Sequence, residues 1–243
     1  MPPAVHRRPP PTGDHHPPAT TTHHDHHPAA TAAHRWPPPT TTAIHDDRRQ
    51  IGAGDNRVEP ATHRVYGGAV LIRRETPADV DAIRAVHSAA FAKADGGDGV
   101  PVEATLVDAL RVDEGWLPAY SLVAVDSDGQ VVGHVVATRG LVGGAAVALG
   151  LGPLGVLPDW QRRGVGSALM HAVLGAADAR DEPLVVLLGH PDYYPRFGFR
   201  PAVELGVTPP QPWGPQYFMA RPLHAWNESI RGEFRYASPF DDL

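Results

Sequence analysis

Gly150-Leu-Gly-Pro-Leu-Gly-Val-Leu-Pro-Asp-Trp-Gln-Arg-Arg-Gly-Val-Gly-Ser-Ala-Leu169 decides how this chain is read. An apolar, strand-like segment runs into a turn, and two arginines and two glycines then open a helix. That order gathers free backbone N–H groups, the positive end of a helix and guanidinium charge at one point. A pyrophosphate is the commonest ligand that uses all three. Gly150-Leu-Gly-Pro-Leu-Gly155 also matches the dinucleotide fingerprint G-x-G-x-x-G by spelling alone. Pro153 inside it and Pro158 just after it prevent a helix from opening there, so the Rossmann context fails. Gln161-Arg-Arg-Gly-Val-Gly166 is a different pattern, [Q/R]-x-x-G-x-G at a strand-to-helix junction. Gly164 and Gly166 let a ligand approach the backbone where a Cβ would obstruct it. The chain has no G-x-x-x-x-G-K-[S/T], which excludes a P-loop nucleotidase.

Around this stretch the composition bounds the rest. The 243 residues are 42% hydrophobic and 20% charged, ordinary for a protein with a core. Residues 1–60 hold 12 of the 27 prolines and nine of the 15 histidines. With so few large aliphatics, 1–66 cannot bury enough apolar surface to offset its ordering entropy, and disorder is the expectation there. The clusters His15-His16 and His23-His24-Asp25-His26-His27 could bind transition metals, but nothing fixes a geometry, so no metal site is assigned. The net charge of −6 argues against general nucleic-acid binding. With no cysteine, disulfides, thiolate metal sites and cysteine nucleophiles are excluded. The longest apolar run, Ala145 to Leu157, is too short and glycine-rich to span a bilayer, and no h-region follows Arg7 and Arg8. A cytoplasmic protein is the expectation.

One folded domain is expected over 67–243, an α/β domain with a mixed sheet. Ala69–Arg73 reads as a strand, and Thr76-Pro77 as the start of a helix carrying Val80, Ile83, Val86, His87 and Phe91 at helical spacing. Pro101 opens a second helix with Val102, Leu106 and Leu110 on one face. Tyr120–Asp126 and Gln130–Thr138 flank Ser127-Asp128-Gly129 as a hairpin, and Ala145–Leu157 continues the meander. A helix over about 163–180 follows, with Val165, Leu169, Ala172 and Ala176 inward. Leu184–Leu188 is a buried strand that this helix joins in parallel to its predecessor. Later strands are expected near Arg200, Tyr217–Met219 and Phe234–Tyr236.

Four stretches carry a family likeness: Gly152–Pro158 leading into Gln161–Gly166, Gly189–Phe199, Glu103–Arg111 and Gly232–Tyr236. On them, residues 70–236 resemble the GNAT N-acetyltransferase superfamily, in particular its YhbS-like bacterial branch. The resemblance implies the GNAT fold and acetyl-CoA as co-substrate, with an amine acceptor as partner; it leaves a homodimer open. The pyrophosphate would lie on Gln161, Arg162, Arg163, Gly164, Val165, Gly166 and Ser167. The pantetheine would run along Leu154, Gly155 and Val156 like an added strand. Pro153 lacks an N–H, so the strand must pair imperfectly there, and its parallel neighbour can splay away.

The family's Tyr-x-x-x-Gly-Phe element falls on Tyr194–Phe199, which implies that Tyr194 protonates the departing thiolate, with Tyr193 the adjacent ambiguity. A proton acceptor is needed as well, because an amine near pKa 10.4 is almost wholly protonated at pH 7. Glu103 at the start of the second helix and His134 on the central hairpin strand are the candidates, with His190 a third. Glu103 reads equally well as a helix-start carboxylate helped by the dipole, and His134 as a satisfied core histidine. The family's usual asparagine contact to CoA has no clear counterpart before Tyr194. An acyl-CoA-binding module without catalysis would use the same cofactor site.

Overall fold

The structure, a computed structural model, describes residues 69–92 and 99–242. The expected disorder of 1–66 and the histidine clusters lie outside those residues. Strand β1 (Leu71–Arg74) leads into α1 (Val80–Ala90) and α2 (Val102–Val112). The meander β2 (Ser121–Val125), β3 (Val131–Val142) and β4 (Ala146–Val156) follows, then α3 (Val165–Asp178) and β5 (Leu184–Leu188). Short strands β6 (Arg200–Pro201), β7 (Val207–Thr208), β8 (Phe218–Pro222) and β9 (Gly232–Arg235) complete a mixed sheet. Its order is β1-β2-β3-β4-β5-β8-β6, with β9 on the far end of β3 and β7 beside β9.

Local chemistry explains the borders. Thr76 and Asp79 form a capping box ahead of α1, with Pro77 at the first helical position. Gly129 at φ 84° closes the β2–β3 hairpin, as a turn that needs a left-handed residue favours. Val102 proves to be exposed; the buried face of α2 is Ala104, Leu106, Val107 and Leu110. Leu106 and Leu110 lie on that face as expected, while Val102, the first residue of the helix, stands at its exposed end. On α3 the buried residues are Val165, Leu169, Met170, Val173, Leu174 and Ala177, while Ala172 and Ala176 are only half-buried. The larger side chains claim the centre of the face, since each removes more apolar surface from water.

The sheet has a core on each side. Leu122, Val135, Ala137, Leu149, Leu151, Val185 and Leu187 pack against α3. Val123, Val125 and Val136 pack against Ile83 of α1 and Leu106, Val107 and Leu110 of α2. A charged cluster fastens the α3 side: Glu182 takes both Arg139 nitrogens at 2.6 and 2.8 Å and the Tyr120 hydroxyl at 2.9 Å. Glu182 is 6% exposed, so its deletion would strand a guanidinium and a phenol. Glu182→Ala is expected to lower unfolding free energy by about 3 kcal/mol, read from urea denaturation.

Candidate active site

The site begins where β4 and β5 part. They pair in parallel only at Leu149↔Val185 and Gly150↔Val186. Beyond Gly150, β4 runs on to Val156 with no strand paired on that side among the described residues, while β5 stays paired with β8 through Leu188↔Phe218. The cause is in the sequence. Gly152 has φ 149°, a conformation glycine adopts readily, and Pro153 has no N–H to donate. The β3–β4 register slips at the same place, between the pairs Val135↔Leu154 and Ala137↔Leu151, which is a bulge.

Strand alternation then decides which peptide groups line the gap. The Leu157 N–H donates to Val132 O of β3 at 2.9 Å, so the Leu157 and Gly155 backbone groups face β3. Those of Leu154 and Val156 point the other way, into the gap. Among the predicted pantetheine contacts, Gly155 is therefore corrected: its peptide groups are turned to β3, and its Cα face meets α1. A Cβ there would come 2.8 Å from His87 Nδ1 and 3.4 Å from Val86.

At the end of β4 the chain builds a loop of backbone amides beside two arginines. Arg162 has φ 59° and Gly164 φ 88°, so two left-handed residues turn successive N–H groups to one side. Ala168 is the first amide of α3 with a backbone acceptor, Gly164 O at 2.9 Å; among the described residues none from Arg162 to Ser167 has one. Arg162 and Arg163 are exposed beside these amides, and the Arg163 guanidinium stands 5.5 Å over the Trp160 ring. The Val165 side chain is buried in the core, leaving its amide as its only contribution. The Gln161 side chain is used inside the protein: it donates to Val156 O at 3.1 Å and ties the loop to the end of β4.

The two tyrosines divide. A Cβ on Gly166 would meet the Tyr193 hydroxyl at 2.9 Å, so Tyr193 stands over the start of α3. The Tyr194 ring fills the space a Gly189 side chain would need, with ring atoms 2.6 and 3.0 Å from that position. It therefore sits just beyond β5, at the other wall of the gap. Burial, with Tyr193 adding, pushes the Tyr194 phenol well above its ordinary value. It stays protonated throughout the physiological range.

The candidate bases differ more. Glu103 lies on the inward stripe of α2 with Val107 and Leu110, half-buried, and burial raises its carboxyl. Among the described residues its carboxylate takes no side-chain hydrogen bond. His134 is fully buried, with both nitrogens engaged: Nδ1 to His87 Nε2 at 2.8 Å and Nε2 to Ser121 Oγ at 2.9 Å. His190 is partly exposed and bonded to its own turn through the Asp192 N–H at 3.3 Å.

Sequence reading missed His87 and Glu75. His87 looked like one more residue of an apolar stripe, and nothing local separates a buried histidine there from a core side chain. Burial holds both imidazoles below their ordinary value, and proximity to His134 and Arg111 lowers His87 further. The unfolded chain thus takes up protons below pH about 6.5 that the folded chain refuses. Stability is expected to fall as pH drops from 7.5 to 5.5, checked by melting temperature, with His87→Gln flattening that slope.

Residues 71–202 match the acetyltransferase (GNAT) domain family model. The chain belongs to the GNAT acetyltransferase family. It is 34% identical over 168 residues to the uncharacterized N-acetyltransferase YjhQ of Escherichia coli K12, covering 66% of this chain and 88% of that protein. It is 35% identical over 136 residues to the uncharacterized N-acetyltransferase YhbS of the same strain, covering 56% and 76%. Among solved structures, E. coli YhbS in complex with CoA superposes with TM-score 0.64 at 29% identity, over 76% of this chain and 96% of that one. A Brucella melitensis GNAT acetyltransferase in complex with acetyl-CoA gives 0.58 at 34% identity, over 72% and 99%. The mixed sheet and flanking helices are those of the GNAT fold. No helix among the described residues is long and apolar enough to cross a membrane.

Proposed function

We propose that this chain transfers an acetyl group from acetyl-CoA to a primary amine by direct attack in a ternary complex. The observation that carries the reading is the gap between β4 and β5, which ends at the amides and arginines of the α3 start. Peptide groups along β4 followed by a cluster of amides and arginines suit a pantetheine followed by a pyrophosphate. The Leu154 and Val156 peptide groups pair with the pantetheine amides. The unpartnered amides from Arg162 to Ser167 hold the pyrophosphate, with the two guanidinium groups adding charge. That relatives bind CoA and acetyl-CoA supports the same cofactor here.

In the transfer, the amine nitrogen attacks the thioester carbonyl carbon. A backbone N–H in the gap, near Val156, donates to the developing oxyanion. The C–S bond then breaks, and Tyr194 gives its proton to the departing thiolate, which matches a phenol held protonated beyond β5. The chain has no cysteine, so no acetyl-cysteine intermediate forms.

The acceptor approaches the other face of β4. There Tyr236 covers Gly150 and His87 covers Gly155, and nothing lies within 4 Å of where a Gly152 side chain would begin. Trp213 of the proline-rich loop packs on Tyr236 with ring centroids 6.3 Å apart, so that loop borders the opening. Glu103, half-buried on α2, draws a cationic amine toward that helix. A CoA-release screen of small amines and N-terminal peptides tests the reading. Release with at least one amine supports it; tight acetyl-CoA binding without release from any amine supports the non-catalytic binding module instead.

A further inference from the structure

The face of β4 that receives the amine carries a buried polar chain that the transfer described above does not use. Arg111 donates to Glu75 at 2.9 and 3.2 Å, Ser121 Oγ donates to Glu75, and His134 Nε2 meets Ser121 Oγ at 2.9 Å and Glu75 at 3.4 Å. His134 Nδ1 then meets His87 Nε2 at 2.8 Å, the two rings edge to face. The chain stops at His87 Nδ1, a fully buried nitrogen with no hydrogen-bond partner among the described residues.

Each proton in this chain is fixed by the one before it. Burial by itself would raise the Glu75 carboxyl, but hydrogen bonds from His134, Arg111 and Ser121 outweigh it and hold the group at about 2, so it is ionised. A carboxylate only accepts, so the Ser121 hydroxyl proton lies toward Glu75 and the Ser121 oxygen accepts from His134 Nε2–H. His134, kept neutral by burial, then has a lone pair on Nδ1, which accepts from His87 Nε2–H. The remaining lone pair of neutral His87 is on Nδ1. Its direction is given by Gly155: a side chain there would begin 2.8 Å from Nδ1. Glycine at this position lets the imidazole stand where a β4 side chain would project.

We propose that His87 Nδ1 is the proton acceptor for the attacking amine, directly or through one water, and that His134, Ser121 and Glu75 are positioning residues that hold its tautomer. This deepens the acetyl-transfer reading and rests on it. The proton count closes. The ammonium nitrogen loses two protons in becoming an amide. The first passes to His87 Nδ1, and the resulting cation is held through its Nε2–H by the His134–Ser121–Glu75 chain until that proton leaves to solvent. The second balances the proton that Tyr194 delivers to the CoA thiolate, and one proton leaves to solvent per turnover. Glu103 then guides the amine without taking its proton.

Among the described residues, the elements packed on His87 contribute few other charges. β3 offers His134, α2 offers Arg111, Glu103 and the surface-paired Asp108, the turn before α1 offers Asp79, which is paired with Arg73, and β4 offers none. The pH response of His87 therefore belongs to this one chain.

The test is His87→Gln in the full-length protein, with steady-state CoA release measured from pH 7 to 9 on an amine that wild type acetylates. The expected result is a fall in kcat at pH 7 of about 10²-fold or more, with the acetyl-CoA Kd within about twofold of wild type. The deficit should narrow as pH rises and the free amine becomes abundant. Glu103→Gln should instead raise KM for the amine more than it lowers kcat. A His87→Gln enzyme within about threefold of wild type overturns the proposal, as does a deficit equal at every pH, which is what lost packing alone produces. A wild type that releases no CoA with any amine overturns the acetyl-transfer reading and this proposal with it. If His87→Gln does not fold, nitrogen NMR of histidine-labelled wild type at pH 7 decides. An unprotonated His87 Nδ1 supports the assignment, and a protonated Nδ1 overturns it.

Discussion

Tyr194→Phe is expected to lower kcat for CoA release by about 10² to 10³, with the acetyl-CoA Kd within about twofold of wild type. The substitution removes one oxygen and leaves the ring, whose edge rests on Gly189 and whose face meets Phe199 at a centroid distance of 6.0 Å. Fold and cofactor gap therefore persist, and only the proton donor is lost. A thiolate near pKa 8.5 leaves poorly when no donor meets it, so the deficit should shrink with a thioester whose thiol is more acidic. Tyr193→Phe is the matched control. Its hydroxyl stands over Gly166 at the α3 start, so it should change acetyl-CoA binding more than kcat. A reversed pattern would move the acid role from Tyr194 to Tyr193.

The second large effect is at Gly164. Its φ of 88° suits glycine, and a β-branched residue there is a genuine outlier. Gly164→Val must either hold a strain of about 1–3 kcal/mol or flip the loop and turn its amides away. The flip relieves the strain in the free protein, so acetyl-CoA must restore the loop on binding, which weakens binding by about 30- to 150-fold when 2–3 kcal/mol is lost. Calorimetric titration reads it directly. Stability should change little by comparison, because Gly164 is exposed and a Cβ there meets nothing within 4 Å. Arg162→Ala with Arg163→Ala should weaken binding by less and in a salt-dependent way, since both guanidinium groups are exposed.

Much of this architecture is written in local signals. The β2–β3 hairpin follows from Ser127-Asp128-Gly129, the parallel β4–β5 pair from an apolar pentad placed one helix later, and the gap between them from Pro153. The amide loop follows from two glycines after two arginines. Local pattern is silent where side chains from distant segments meet. Nothing near residue 87 tells that its neighbour across the sheet is His134, 47 positions on. Nothing near Gly155 tells that its missing side chain makes room for an imidazole. The pairing of β9 with the end of β3, which brings Tyr236 over Gly150, is likewise a product of topology. Strand alternation also overrules a reading by proximity alone, as the turning of Gly155 toward β3 shows. The backbone and glycine features proposed to hold the cofactor are thus legible, and the cluster assembled from α1, β3 and the C-terminal segment is not.

The central claim is that one continuous track, from the β4–β5 gap to the first turn of α3, holds acetyl-CoA. A crystal structure of the protein grown with acetyl-CoA tests it most directly. The pantetheine amides are expected to pair with the peptide groups of Leu154 and Val156, the pyrophosphate to lie on the amides between Arg162 and Ser167, and the sulfur to sit within hydrogen-bonding reach of Tyr194 Oη. Acetyl-CoA bound anywhere else, or a gap between β4 and β5 that remains empty at saturating cofactor, would contradict it.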